Sequence, residues 1–132
     1  MKGSYVLIIK LDENKNIKVG SLGKVNFRRG YYLYVGSALN GLEKRIRRHL
    51  SKNKKIHWHI DYLLMEGDVV DVYIKIGNTK EECEIARRFS EKYPSIEGFG
   101  SSDCKCRSHL FFSDDKEGLI ELVKSIGMFA FR

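Results

Sequence analysis

The feature that most constrains this fold is a change of period inside one stretch, "YLYVGSALNGLEKRIRRHL", from Tyr32 to Leu50. Its first part is apolar and β-rich, as a strand requires. It breaks at Gly36 and Ser37. Leu42, Ile46 and Leu50 then recur at i, i+4 and i+8, which predicts one apolar stripe on a helix over about 41–51. Arg45 and His49 stand one turn apart beside that stripe, with Arg48 next to them. Lys44 and Arg47 point further out. A strand that feeds a helix this basic raises the expectation of a site that handles phosphate.

The rest of the chain falls into place around that junction. "SYVLIIKL" predicts a strand bounded by the turn cluster "DENKN". "IKVGSLGKVNF" gives two short strand-like pieces around glycines, and these with "GYYLYVG" predict an antiparallel meander. A second helix is expected over 55–66, "KIHWHIDYLLME", apolar nearly all round and hence buried. "VVDVYIKIG" predicts a third main strand. A third helix over 79–93 has Ala86, Phe89 and Tyr93 as its inner face, and Pro94 marks its end. "SHLFF" predicts a short strand and "DKEGLIELVKSIG" a last helix, with Asp114 or Asp115 as N-cap. Strands early and helices later predict one α+β domain over 1–132, with a central, mainly antiparallel sheet flanked by helices.

Composition narrows the function class. A net charge of +7 suits an anionic partner such as nucleic acid. The excess is concentrated: residues 41–60 hold seven Lys/Arg against one acid, Glu43. Lys44, Arg47, Arg48, Lys52, Lys54 and Lys55 are therefore candidate phosphate contacts. No apolar run approaches a membrane span, and the N-terminus reads as a strand rather than a signal peptide, so the expected location is the cytoplasm. Three cysteines, an odd count, argue against a disulfide framework.

Three elements in order carry a resemblance. Gly3-Ser4-Tyr5 lies in the first strand and Tyr34-Val35-Gly36 in a later one, and Leu42, Arg45 and His49 lie on the helix that follows. In that order they resemble the GIY-YIG nuclease superfamily. "YLYVGSA", "RIRRHL", "HWHIDYLL" and "GFGSSDCKCRSHLFF" further resemble a small, largely archaeal family grouped with it. The resemblance implies a GIY-YIG-like fold and a divalent-metal-dependent endonuclease that cuts DNA, in repair or recombination. It implies Arg45 as the phosphate grip and Tyr5 or Tyr34 as general base or water positioner. His49 would bind phosphate or move a proton. It also makes His57, eight residues after His49, a catalytic candidate, and implies one Mg²⁺ or Mn²⁺ on a carboxylate of the third helix.

Two positions depart from that pattern. Aligned without gaps, the metal carboxylate falls at Ala86, so Glu82, one turn earlier on the same face, is the candidate ligand; Glu84 points away and is expected to be solvated. The asparagine that often follows the third helix is missing, and Asp103 is the nearest polar substitute. A catalytically inactive nucleic-acid-binding module on the same fold is therefore an alternative. His57, His59, Cys104 and Cys106 raise a third reading, a Zn²⁺-stabilised interaction domain. His57 alternatively pairs with Asp61 at i, i+4, and His59, Trp58 and Cys83 are expected in the core. The "GFGSSD" loop could offer backbone N–H groups to phosphate. The oligomeric state is open.

Overall fold

The computed structural model describes residues 1–102 and 104–131. Asp103 lies outside them. The protein is α+β, with a five-stranded antiparallel sheet in the order β6-β4-β1-β5-β7. Strand β1 spans Gly3–Leu11 and β4 spans Gly30–Ala38. Strand β5 spans Asp68–Ile76, β6 Leu110–Ser113 and β7 Phe129–Ala130. The two-residue β7 carries too little pattern to be legible in sequence. Among the described residues no helix is long and apolar enough to cross a membrane.

The expected meander is not what forms. β1 pairs directly with β4, from Gly3 opposite Ala38 to Leu11 opposite Gly30. The segment between them folds as its own hairpin of β2 (Lys15–Lys18) and β3 (Lys24–Phe27), joined through a 3₁₀ turn at Gly20–Leu22. Ile17, Val19 and Phe27 then face the main core. Short strands with one apolar face are more stable over that core than as extra members of a sheet whose centre is already paired on both sides.

β1 is buried on both faces, and its period of two sorts the core into two layers. Tyr5, Leu7, Ile9 and Leu11 face the hairpin and helices α1 (Leu42–Leu50) and α2 (His59–Leu64). Val6 and Ile8 face helices α3 (Glu82–Ser90) and α4 (Lys116–Ser125). Asp115 caps α4 by accepting the Glu117 backbone N–H at 3.0 Å.

Helix α1 buries Leu42, Ile46 and His49, while Leu50 is 47% exposed. The apolar stripe thus ends in a histidine one residue earlier than its periodicity predicts. The last carbonyls of α1 meet the Lys54 ammonium, which donates to His49 O at 2.7 Å and Arg48 O at 3.2 Å.

Helix α2 is shorter than the 55–66 pattern. Asp61 Oδ2 accepts the backbone N–H groups of His57, at 2.8 Å, and Trp58, at 2.9 Å. Its carboxylate thus closes the first turn and leaves His57 and Trp58 outside the helix. The expected ring pairing of His57 with Asp61 is replaced by this backbone contact.

Candidate functional site

The opening stretch delivers its residues to a cleft of about 460 Å³. Tyr5, Tyr34, Arg45, Trp58, Glu82 and His109 all line it. The two tyrosines share the α1 face of the sheet, with ring centroids 6.5 Å apart. Gly36, directly opposite Tyr5 in the β1–β4 register, is why the first ring fits. A Cβ there would stand 2.5 Å from the Tyr5 phenol carbon and oxygen, so the glycine of "YVG" makes room for the tyrosine of "GSY".

Behind the cleft, Tyr5 Oη and His49 Nε2 are 2.6 Å apart, with both residues buried. Burial drives the Tyr5 hydroxyl well above the ordinary phenol range, and the adjacent Arg45 opposes that only in part. Burial, then Tyr5 and Glu82, do the same to Tyr34. His49 moves the other way: burial, followed by the Lys54 charge, lowers it to about 3. The pair at neutral pH is a protonated tyrosine against a neutral imidazole. With Nε2 accepting the phenol proton, Nδ1 carries the ring hydrogen, and it meets no partner among the described residues.

This pair has a consequence for stability. Unfolded histidine takes up a proton near pH 6.5, and His49 in the fold does so only near 3. Between those values the unfolded chain binds more protons, so stability falls as pH drops through that window. Urea unfolding between pH 7 and pH 4 should show this loss, and His49→Gln should flatten it. Parallel pH profiles for the two proteins would contradict the assignment.

Arg45 stands at the cleft wall, donating to Ser37 O at 3.3 Å and stacking on the Trp58 ring at 4.6 Å. Arg48 approaches the same ring at 4.5 Å. Trp58, expected in the core, packs against it only half-buried and offers its ring as a platform for two guanidinium groups. The remaining expected phosphate contacts divide. Arg48 is held bidentately by buried Asp61. Lys52 donates to the carbonyls of Leu64 and Gly67, and Arg47 pairs with Glu43. Among the described residues, Lys44 and Lys55 are exposed with no side-chain partner. The basic run thus serves the fold at Arg48, Lys52 and Lys54, and leaves fewer cations for a ligand.

Helix α3 buries Ile85, Ala86 and Phe89 against the opposite face of the sheet, while its first turn brings Glu82 and Cys83 to the cleft. Ala86, where the resemblance puts a carboxylate, does not line the cleft; Glu82 does, as its only carboxylate among the described residues. Glu84 is exposed and paired with Arg87, as expected.

His57 does not line the cleft; it is exposed, with its ring edge-on to Trp58 at 4.8 Å. His59 is half-buried, and its Nδ1 accepts the Gly100 N–H at 2.9 Å. That bond also takes a backbone donor of the "GFGSSD" loop that phosphate would need.

The expected set His57, His59, Cys104 and Cys106 does not assemble. Cys83, Cys104, Cys106 and His109 do: their donor atoms lie within 4.8 Å of one another, and the group could hold a metal ion. Cys83, expected in the core, is exposed. Partial burial, then the neighbouring thiols, holds Cys106 well above the ordinary thiol range. The sequence signal for this set is compact, since Cys104, Cys106 and His109 fall within six residues. Its fourth member lies across the fold on α3.

No curated protein and no solved structure matches the chain. A family described as "Domain of unknown function DUF123" matches residues 4–129. With nearly its whole length inside that match, the chain belongs to the DUF123 family.

Proposed function

We propose that the cleft takes a phosphate of nucleic acid, with DNA as the preferred partner, and hydrolyses the phosphodiester bond with one bound Mg²⁺ or Mn²⁺. The observation that carries this reading is the meeting of Tyr5, Tyr34, Arg45 and Glu82 on one cleft. The order of these residues resembles the GIY-YIG nucleases, and the net charge of +7 suits the partner.

Each group has a physical task. The Arg45 guanidinium offers a planar fork to two phosphoryl oxygens. Tyr5, with its proton directed at His49, turns lone pairs toward a water in the cleft and orients it. Tyr34 offers a protonated hydroxyl to a phosphate oxygen. Glu82 fits a hard ion that binds through one carboxylate and keeps most of its waters. Neither hard ion suits the neighbouring thiols. When bound, the cation would neutralise charge on the phosphoryl group and lower the pKa of its water.

One observation favours a second reading, a binding module without chemistry. Burial keeps both tyrosines protonated and His49 a weak base, so none of these three is a ready general base at neutral pH. Labelled duplex, flap and four-way-junction DNA, incubated with Mg²⁺, Mn²⁺ or EDTA, separates the two. Metal-dependent cutting supports hydrolysis. Retarded but intact DNA under every condition supports binding alone, and DNA neither cut nor bound overturns both.

A further inference from the structure

We infer that Cys83, Cys104, Cys106 and His109 form a closed structural zinc centre that clamps the first turn of α3 to the segment entering β6. The geometry comes first. Cys104 Sγ is 3.5 Å from His109 Nε2, and Cys83 Sγ is 3.9 Å from the same nitrogen. Zinc with Zn–S bonds of about 2.3 Å and Zn–N bonds of about 2.0 Å sets tetrahedral sulfur–nitrogen edges of about 3.5 Å. All four donor atoms fall within 4.8 Å of one another, as the corners of one tetrahedron must.

Donor chemistry selects the ion. Three thiolates and an imidazole are soft ligands that prefer zinc to Mg²⁺ or Mn²⁺. With four protein ligands no coordination position stays open, so the ion holds structure rather than activating water. The two faces of His109 agree with this role. Nε2 faces the thiols, while Nδ1 lies 4.0 Å from Glu82 Oε2. At that distance the carboxylate is not hydrogen-bonded to the ring, but it stands on the side where a ligating imidazole takes its outer partner.

The fold also leaves this segment in need of a clamp. The chain from Ser101 to His109, "SSDCKCRSH", is polar and has little to bury. Between Phe99 and Leu110 the described residues form no helix or strand. Yet the segment forms one wall of the cleft, through Cys104 and His109. A metal bridging it to α3 supplies the cross-link that apolar packing does not. Because Glu82 directly precedes Cys83, the same clamp sets where the cleft carboxylate stands.

The inference does not rest on the proposed hydrolysis, although the centre shares a wall with its cleft. The test uses the full chain, purified under reductant without a metal-affinity tag. Elemental analysis should find about one zinc per chain. Co²⁺ added to the metal-free chain should give the visible bands of a tetrahedral ion with thiolate charge transfer. Cys104→Ser should lower retained zinc at least about tenfold. A serine variant can also lose zinc by misfolding, so Cys104→His provides a second arm: zinc is kept, and cobalt charge transfer falls from three thiolates' worth to two. Arg45→Ala should keep its full zinc, which lets this centre and the phosphate site fail separately. Protein without zinc whose cobalt form is octahedral overturns the inference. So do full zinc retention by both Cys83→Ser and Cys104→Ser, iron in place of zinc, or two of the three cysteines joined as a disulfide.

Discussion

Under the proposed function, replacing Arg45 by alanine is expected to slow metal-dependent cleavage of DNA at least about a hundredfold, the usual cost of removing one group aimed at transition-state charge. Binding should weaken much less, by about tenfold, because the phosphate keeps its other donors. The asymmetry follows from the site. Among the described residues Arg45 is the one guanidinium in the cleft lining, while Arg48 is committed to Asp61. Arg45→Lys should restore binding better than cleavage, since an ammonium gives charge without the planar fork. The stability cost should be small, about 1 kcal/mol, because Arg45 gives up a stacking contact and one long hydrogen bond. Single-turnover cleavage beside a binding titration decides the matter. A variant that binds tenfold more weakly but cuts at the wild-type rate would remove Arg45 from the chemistry.

The largest stability effect should come from Asp61, a residue with no part in the cleft. Its carboxylate is fully buried and accepts four hydrogen bonds. Two come from Arg48, at 3.0 and 2.9 Å, and two from the backbone that starts α2. Asp61→Ala leaves those amides without partners and frees the guanidinium beside Trp58. Losing one partner of such a buried pair costs about 3–5 kcal/mol. Arg48 is 28% exposed and can turn toward water, so about 3 kcal/mol is expected. Burial alone would raise the Asp61 carboxyl, but Arg48 and the amides of Trp58 and His57 outweigh it and hold it below the ordinary carboxylate range. A depressed carboxyl lends stability above its unfolded pKa, about 3.9, and loses it as pH falls through the folded value. This acid limb begins inside the lower end of the His49 window, which opens near 6.5 and closes near 3. Asp61→Asn should remove the lower limb and leave the upper one. Denaturant titrations at stepped pH would show it, and an Asp61→Ala protein as stable as the wild type would refute the account.

Much of the fold was legible because its strongest signals are periodic. β1, β4 and α1 carry alternations that burial alone decides, and the residues of "GSY", "YVG" and α1 do meet. The place of Glu82 at the cleft was legible too, because helical geometry sets it one turn before Ala86 on the same side of the helix. Pairing was less legible: a local pattern shows that β2 and β3 are strands, but not that β1 skips them for β4. Leu50 and His49 exchange places because a buried hydrogen bond to Tyr5 outweighs hydropathy at the end of the stripe. The cysteine group needed Cys83 to be set beside His109 across 26 residues, a distance that no spacing rule spans. Asp61 looked like one acid on an apolar helix, and only its partners show why the helix starts where it does.

Trp58 is the only tryptophan in the chain. Its indole lies against Arg45 and Arg48 and 6.0 Å from the His49 ring. The chain therefore carries its own optical reporter at the cleft wall. An anion that draws a guanidinium off the indole face changes the emission of a single fluorophore. Occupancy of the cleft can thus be followed in the unlabelled protein, in real time and apart from any cutting.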